Sequence, residues 1–184
     1  MRHIRKVSIL LLIVFLTACN LPRFDHDLIS GSVTETPTTE ADYTECAWNW
    51  NTRSLPDLSV EVQSAMETAG LTGVTVIAEA FGEDCITAAG VVDHFAAMET
   101  DFRITAQVAS LDDREVLGTL LERILVVLDA FPPEDTPGPQ SGYIGVLFQA
   151  GSEELRLWFP FSEGKSALAL GLHGAALLDK LQNP

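Results

Sequence analysis

The feature that most constrains the fold of this chain is a two-residue alternation of apolar side chains in four segments: residues 74–82, 95–110, 143–150 and 154–161. Successive side chains of a β-strand point to opposite faces, so each segment predicts a strand with one buried face. One of the two resulting faces is wholly apolar, and we expect it to pack against helices. Its members are Val74, Val76, Ala78, Phe102, Ile104, Ala106, Val108, Ile144, Val146, Phe148, Leu155, Leu157, Phe159 and Phe161.

Three further segments carry apolar residues at helical spacing. The first runs from about Leu58 to Ala69, and either Asp57 or Ser59 is expected to cap it. Gly70 follows at a position where helices commonly end. The second has the clearest pattern, which extends from Leu117 to Leu128 and stops before a pair of prolines.

The last predicted helix runs from about Ser162 to about Gln182, although Gly171 and Gly174 lower its helix propensity. The order of elements is therefore α-β-β-α-β-β-α. Strands joined by short turns pair antiparallel, and Gly151-Ser152 is typical of such a turn. We therefore predict an α+β fold in which a four-stranded antiparallel sheet has its helices on one face.

The N-terminus has the composition of an export signal. Arg2, Arg5 and Lys6 precede an apolar stretch from Val7 to Leu16, which is too short to span a bilayer. The next residues, Leu16-Thr17-Ala18-Cys19, resemble the lipobox of bacterial lipoproteins. The resemblance covers residues 1–19 only. It implies a diacylglycerol on the Cys19 thiol, cleavage before Cys19, and acylation of the new amino terminus.

Three regions follow from this interpretation. Residues 1–18 are a signal peptide, residues 19–44 are the lipidated cysteine and a flexible tether rich in threonine, and residues 45–184 are one α+β globular domain. Cleavage lowers the count of basic residues from 11 to 8 and leaves all 26 acidic residues, so the mature charge is 8 − 26 = −18. We expect such a domain to repel nucleic acid and to be held on the extracytoplasmic side of the bacterial cell membrane by its lipid.

The two remaining cysteines, Cys46 and Cys85, are expected to form a disulfide, because leftover thiols outside the cytoplasm usually pair. The alternative is two unpaired buried thiols. A bond between them would hold Trp48 and Trp50 beside the sheet.

The second face of the predicted sheet, which we call the mixed face, combines aromatic, polar and basic residues. It carries five candidate binding residues: Phe81, Arg103, Tyr143, Arg156 and Trp158. Grouped aromatics and arginines are typical of binding surfaces, and arginine can bind a carboxylate through two parallel hydrogen bonds. Two other interpretations stay open. The segment around Trp48 and Trp50 could cover this face, or both arginines could pair with nearby acids such as Glu79.

Sequence motifs of catalysis are missing. Gly164-Lys165-Ser166 lacks the early glycine of a phosphate-binding loop, and the histidines lack metal-ligand spacing. Asp112 and Asp113 lack the spacing of a calcium-binding loop and suit a helix start. We therefore assign no catalytic residue, metal or cofactor.

The function expected from the sequence is binding or scaffolding in the cell envelope, with an envelope protein or a small ligand as the partner. The alternative is an envelope hydrolase that uses dispersed carboxylates. Paired carboxylates facing each other across a cleft would favour the hydrolase. A shallow aromatic face without a cleft would favour binding.

We predict that Cys19→Ser blocks both lipid attachment and the associated cleavage, because the thiol is the atom that accepts the diacylglycerol. Intact-mass measurement of membrane-extracted protein checks this. A wild-type mass without acyl chains, or one that retains residues 1–18, would contradict the lipoprotein assignment.

Overall fold

A computed structural model describes residues 45–182, so the predicted signal peptide, Cys19 and the tether lie outside the described residues. This part of the chain forms five strands, four α-helices and a short 3-10 turn at Pro133–Asp135. The elements are β1 (Ala47–Ser54), α1 (Pro56–Thr68), β2 (Val74–Ile86), β3 (Val92–Gln107), α2 (Arg114–Asp129), β4 (Gln140–Ala150), β5 (Glu153–Pro160), α3 (Phe161–Ala169) and α4 (Gly174–Gln182). Within residues 45–182, no helix has both the length and the apolar character needed to cross a membrane.

The fold is α+β, as predicted, but the predicted four-stranded antiparallel sheet is wrong in detail. The five strands follow one another in the order β1-β2-β3-β4-β5. The pairs β1–β2, β2–β3 and β4–β5 are antiparallel, whereas β3 and β4 are parallel. The parallel pair arises because α2 lies between β3 and β4 in the chain and returns it to the end of the sheet where β3 began.

Strand β1 is the element that the sequence interpretation missed. The segment was expected to lie beside or across the sheet, and it instead extends the sheet as an edge strand paired with β2. Its residues alternate between aromatic and polar, with Trp48 and Trp50 separated by Asn49. That alternation is a strand signal, but it lacks the buried apolar face by which the other strands were identified. All eight residues of β1 are exposed.

The predicted apolar face of the sheet is confirmed. All fourteen of its members are buried or half-buried, and the buried ones share one hydrophobic core with residues from the helices. Helix α2 contributes most to this core, with five fully buried aliphatic side chains: Leu117, Leu121, Ile124, Leu125 and Leu128. The helices thus cover one face of the sheet.

Helix starts differ in part from the predictions. Pro56 occupies the first turn of α1, and neither Asp57 nor Ser59 caps it. The Ser59 hydroxyl instead donates to the carbonyl of Leu55 and accepts from the backbone N–H of Ala78, each at 2.8 Å, which ties α1 to β2. The start of α2 is capped as expected from its acids, because Asp113 Oδ1 accepts from the N–H of Val116 at 3.1 Å.

The single helix predicted from Ser162 to Gln182 is wrong, since the chain breaks between α3 and α4. Gly171 has a φ of 74° and ends α3, and its N–H donates to the carbonyl of Leu168 at 2.9 Å. Helix α4 then starts under a carboxylate from α2. Glu115 Oε2 accepts from the N–H of Ala175 at 2.9 Å, which satisfies a free donor at the helix N-terminus.

Helices α2 and α4 approach each other closely at two glycines. A Cβ atom built on Gly118 would collide with the carbonyl group of Gly174. Because the obstructing atoms belong to the backbone, a rotamer change cannot relieve the collision.

We predict that Gly118→Ala lowers the free energy of unfolding by about 3 kcal/mol or more, because α2 and α4 would have to separate. Val126→Ala is the matched control, since Val126 lies on the same helix and is 58% exposed. Urea denaturation of both variants checks this. Equal stability of Gly118→Ala and the wild type would show that the helix contact is loose.

Candidate functional site

The mixed face of the sheet stays open to solvent in the described part of the chain. Ile77 is 53% exposed, Trp158 is 45% exposed and Tyr143 is 36% exposed. A shallow cavity of about 360 Å³ lies on this face. It is lined on the face itself by Ile77, Arg103, Thr105, Gly145, Leu147, Arg156 and Trp158.

A stack of aromatic and cationic groups forms one wall of the cavity. Trp158 on β5 lies opposite Gly145 on β4. A Cβ atom at Gly145 would come within 2.8 Å of the indole, so glycine is required for this close approach. The guanidinium carbon of Arg103 lies 5.1 Å from the centroid of the Trp158 ring, and the Tyr143 ring stacks on the indole at 5.5 Å. Three strands therefore supply one continuous contact surface.

Both arginines of the mixed face lie in ion pairs. The alternative that they pair with nearby acids therefore describes the protein without a ligand. Arg103 Nε donates to Glu79 Oε2 at 2.7 Å. Arg156 donates to Glu154 Oε2 at 2.6 Å, and this bond lowers the pKa of the Glu154 carboxyl. The arginine side chains remain 56% and 72% exposed, respectively. Exposed pairs of this kind contribute between zero and about 1 kcal/mol, and are therefore easily exchanged for other partners.

Phe81 is separated from the other four candidate residues. It stacks on Trp50 of β1, with ring centroids 5.2 Å apart and an angle of 2° between the planes. Trp50 remains 57% exposed and Trp48 remains 49% exposed. The two tryptophans therefore extend the mixed face along β1 and do not cover its cavity.

Two acidic residues of the mixed face have perturbed pKa values. Burial raises the pKa of Asp101, against the opposing effect of the Tyr143 N–H, which donates to Asp101 Oδ1 at 2.7 Å. Burial and the neighbouring charge of Asp101 also raise the pKa of Glu99. The two residues lie side by side on β3, two positions apart. They do not face each other across a cleft, which is the arrangement that would favour the hydrolase alternative.

The edge strand β1 is held to β2 by covalent and polar contacts. The predicted disulfide is confirmed: Cys46 is bonded to Cys85, with Cα atoms 4.9 Å apart. On the helix side of the sheet, Asp84 accepts from Asn51 Nδ2 and from Arg53 Nη2, each at 2.6 Å. The Arg53 guanidinium also lies 4.5 Å from the centroid of Phe95 on β3. Sequence patterns did not predict this polar cluster, because its members come from separate strands.

Within residues 45–182, one group of metal-ligand types lies close together: Cys85, Asp93 and His94. The sulfur of Cys85 is already bonded to Cys46, so it offers no thiolate. The remaining two groups pair with each other, since Asp93 Oδ2 lies 2.8 Å from His94 Nδ1. Two ligands do not make a zinc site.

Comparisons with known proteins gave no relative: the chain matches no protein-family model, no curated protein and no solved structure.

We predict that Asp84→Asn weakens the attachment of β1 in a pH-dependent way. Hydrogen bonds from Asn51 and Arg53 lower the pKa of Asp84 below its ordinary value of 3.8. A carboxylate with a lowered folded-state pKa stabilises the fold above its unfolded pKa, and this stabilisation is lost as the pH falls through the folded value. The variant should therefore be less stable than the wild type near neutral pH, and the difference should shrink below about pH 4.

Urea denaturation at about pH 6 and about pH 2.5 measures this difference. Asp93→Asn is the control, because the Asp93 side chain is 51% exposed and pairs with its sequence neighbour His94. A stability difference for Asp84→Asn that is the same at both pH values would contradict the role of the Asp84 charge.

Proposed function

We propose that this protein is a lipid-anchored binding protein of the bacterial cell envelope, and that its mixed-face cavity binds a ligand that has both an apolar part and a carboxylate. The anchor in this proposal is Cys19, supported by the lipobox resemblance. The binding proposal rests mainly on the composition of the cavity. The chain has 26 acidic and 11 basic residues, yet two arginines and no acidic residue line this cavity.

The geometry of the two arginines suits a carboxylate. Arg103 and Arg156 lie on adjacent rows of the same face, because their cross-strand partners on β4 are Gly145 and Leu147. A guanidinium offers five N–H donors in a planar fork, and Arg103 uses its Nε for Glu79. A ligand carboxylate can thus be bound while the ion pair with Glu79 is kept, and it would gain charge-assisted hydrogen bonds.

The floor of the cavity suits an apolar group. Ile77, Leu147 and the Trp158 indole line the cavity, and the indole lies directly over Gly145, which carries no side chain. A flat or extended apolar group can contact the indole there and displace water from the aliphatic side chains. The same glycine-to-tryptophan contact stabilises the sheet, so Trp158 would have both a structural and a binding role.

Binding is favoured over hydrolysis by the shape of the site. The cavity is shallow, and the carboxylates with raised pKa values, Glu99 and Asp101, do not line it. A glycoside hydrolase needs an acid and a base or nucleophile on opposite sides of the scissile bond. The residues that line the cavity include two arginines and no such pair of carboxylates.

We predict that 4-phenylbutyrate binds the purified full chain and that its neutral amide, 4-phenylbutyramide, does not bind measurably. Arg103→Ala combined with Arg156→Ala should weaken binding of the carboxylate at least about tenfold, because each lost charge-assisted hydrogen bond costs roughly 1.5–3 kcal/mol. Isothermal titration calorimetry measures binding of both compounds, because the fluorescence of Trp158 would be mixed with that of Trp48 and Trp50.

The matched control is Arg123→Ala combined with Lys180→Ala, which removes the same charge from exposed positions on α2 and α4. This control should bind like the wild type. Equal affinity for acid and amide, or equal binding by the Arg103/Arg156 double variant, would refute the carboxylate proposal. A large loss of stability in that double variant would instead show that the two arginines support the sheet.

A further inference from the structure

The first strand leaves one backbone edge open. Strand β1 is first in the sheet order, so one of its edges pairs with β2 and no strand within residues 45–182 pairs with the other. Exposed edges of this kind are templates for another extended chain, and proteins usually protect them with lysine, proline or a bulge. Strand β1 contains neither lysine nor proline, and its pairing with β2 has no register shift.

The backbone groups of every second residue point to this open edge. The N–H of Leu55, directly after β1, donates to Ala78 on β2, so this residue faces the sheet. The N–H of Thr52 donates instead to the Asn51 side chain, so Thr52 does not face β2. In an antiparallel ladder the direction alternates along the strand, so Trp48, Trp50 and Thr52 direct their N–H and C=O groups outward.

Strand β1 has no charged side chain that protects its open edge. The one charged residue of β1, Arg53, is held on the helix side by Asp84 and Phe95. Asn51 Oδ1 accepts from the Thr52 N–H at 2.8 Å and so blocks the edge there. The available part of the edge is therefore the first half of β1, around Trp48 and Trp50.

The side chains next to this half of the edge suit a cation. Glu83 lies directly opposite Trp50 in the β1–β2 pairing, and Glu99 lies directly opposite Phe81 in the β2–β3 pairing. The exposed Trp50–Phe81 stack thus has a carboxylate on each side. A lysine or arginine over an aromatic face gains a cation–π interaction, and nearby carboxylates add to the attraction. The net charge of the whole chain, −15, acts in the same direction.

We propose that the open edge of β1 binds an extended, lysine- or arginine-bearing segment of a partner protein as a sixth strand. The partner's backbone would pair with the outward groups of Trp48 and Trp50, and its alternate basic side chains would lie over Trp50 and Phe81, between Glu83 and Glu99. This site is separate from the mixed-face cavity, whose wall is built from β2 to β5. It does not depend on the carboxylate proposal.

The test uses the full chain, with its disulfide intact, and a labelled peptide of eight residues to match β1, in which lysine and threonine alternate. We expect this peptide to bind at least about tenfold more tightly than the same peptide with glutamate in place of lysine. Trp50→Ala should weaken binding about tenfold, and Glu83→Gln combined with Glu99→Gln should weaken it severalfold and reduce its salt dependence.

Backbone methylation of the peptide tests the strand geometry. A strand pairs with its neighbour through the N–H groups of every second residue. N-methylation of those residues should therefore abolish binding, whereas N-methylation of the residues between them should be tolerated. Leu170→Ala is the control variant, because Leu170 is 77% exposed at the end of α3 and belongs to neither proposed site. It should leave peptide binding unchanged.

Three results would overturn the proposal. Equal effects of the two methylation patterns would exclude strand addition, and equal affinity for the lysine and glutamate peptides would exclude a cationic partner. A loss of binding in Leu170→Ala as large as that in Trp50→Ala would show that the loss is not specific to β1. Normal peptide binding together with failed phenylbutyrate binding would refute the cavity proposal alone.

Discussion

The burial of one face of the sheet under the helices is the interaction on which the rest of this domain depends. Helix α2 lies between β3 and β4 in the chain, makes these two strands parallel, and supplies five fully buried aliphatic side chains to the core. Helix α4 packs against it so closely that Gly118 and Gly174 leave no room for a Cβ atom. Since the helices lie on a single face, the opposite face of the same strands is left to solvent, and its aromatic side chains are available for contact.

Strand β1 takes no part in the packing of the sheet against the helices and is held by other interactions. None of its residues is buried, so the hydrophobic effect contributes less to its position than to the positions of the other strands. The disulfide from Cys46 to Cys85 closes a loop of about 40 residues, which removes roughly 4 kcal/mol of chain entropy from the unfolded state in the simplest account. Asp84 adds two short hydrogen bonds, and the Trp50–Phe81 stack adds a contact on the other face. An edge strand attached in this way can be both well ordered and exposed.

The sequence predicts those features of this structure that depend on neighbouring residues, and it fails for those that depend on contacts between distant segments. Alternation within a segment is local, and it correctly sorted residues such as Phe102 and Arg103 onto opposite faces of the sheet. The parallel pairing of β3 and β4 depends on the path of α2, which no local pattern reports. The break after α3 was indicated by Gly171, but the carboxylate of Glu115 that starts α4 comes from 60 residues away in the chain.

In the candidate site, too, local patterns were predictive and contacts between distant segments were not. Arg103, Arg156 and Trp158 were placed on the mixed face by alternation alone, and the structure brings all three to one cavity. Phe81 lies on the predicted face, but it contacts Trp50 rather than the other candidate residues. This contact could not be predicted because strand β1 was not recognised in the sequence. The cluster around Asp84 could not be predicted, since polar partners from separate strands leave no periodic trace in the sequence.

One face of this sheet carries two regions of different electrostatic character, although each cavity arginine is also paired with a glutamate, Glu79 or Glu154. The cavity is lined by Arg103 and Arg156, whereas the region beside β1 has Glu83 and Glu99 around its aromatic stack. In water at physiological ionic strength, charges more than about 8 Å apart are largely screened from each other. Each region can therefore select its own ligand by local contacts even though the chain as a whole is strongly acidic. At low ionic strength the field of the acidic chain favours the approach of a cationic partner, so local contacts with the arginines must then compensate for the repulsion of an anionic ligand. Apolar contact with Trp158 and Ile77 provides such compensation, because the hydrophobic effect does not depend on the sign of the surrounding charge.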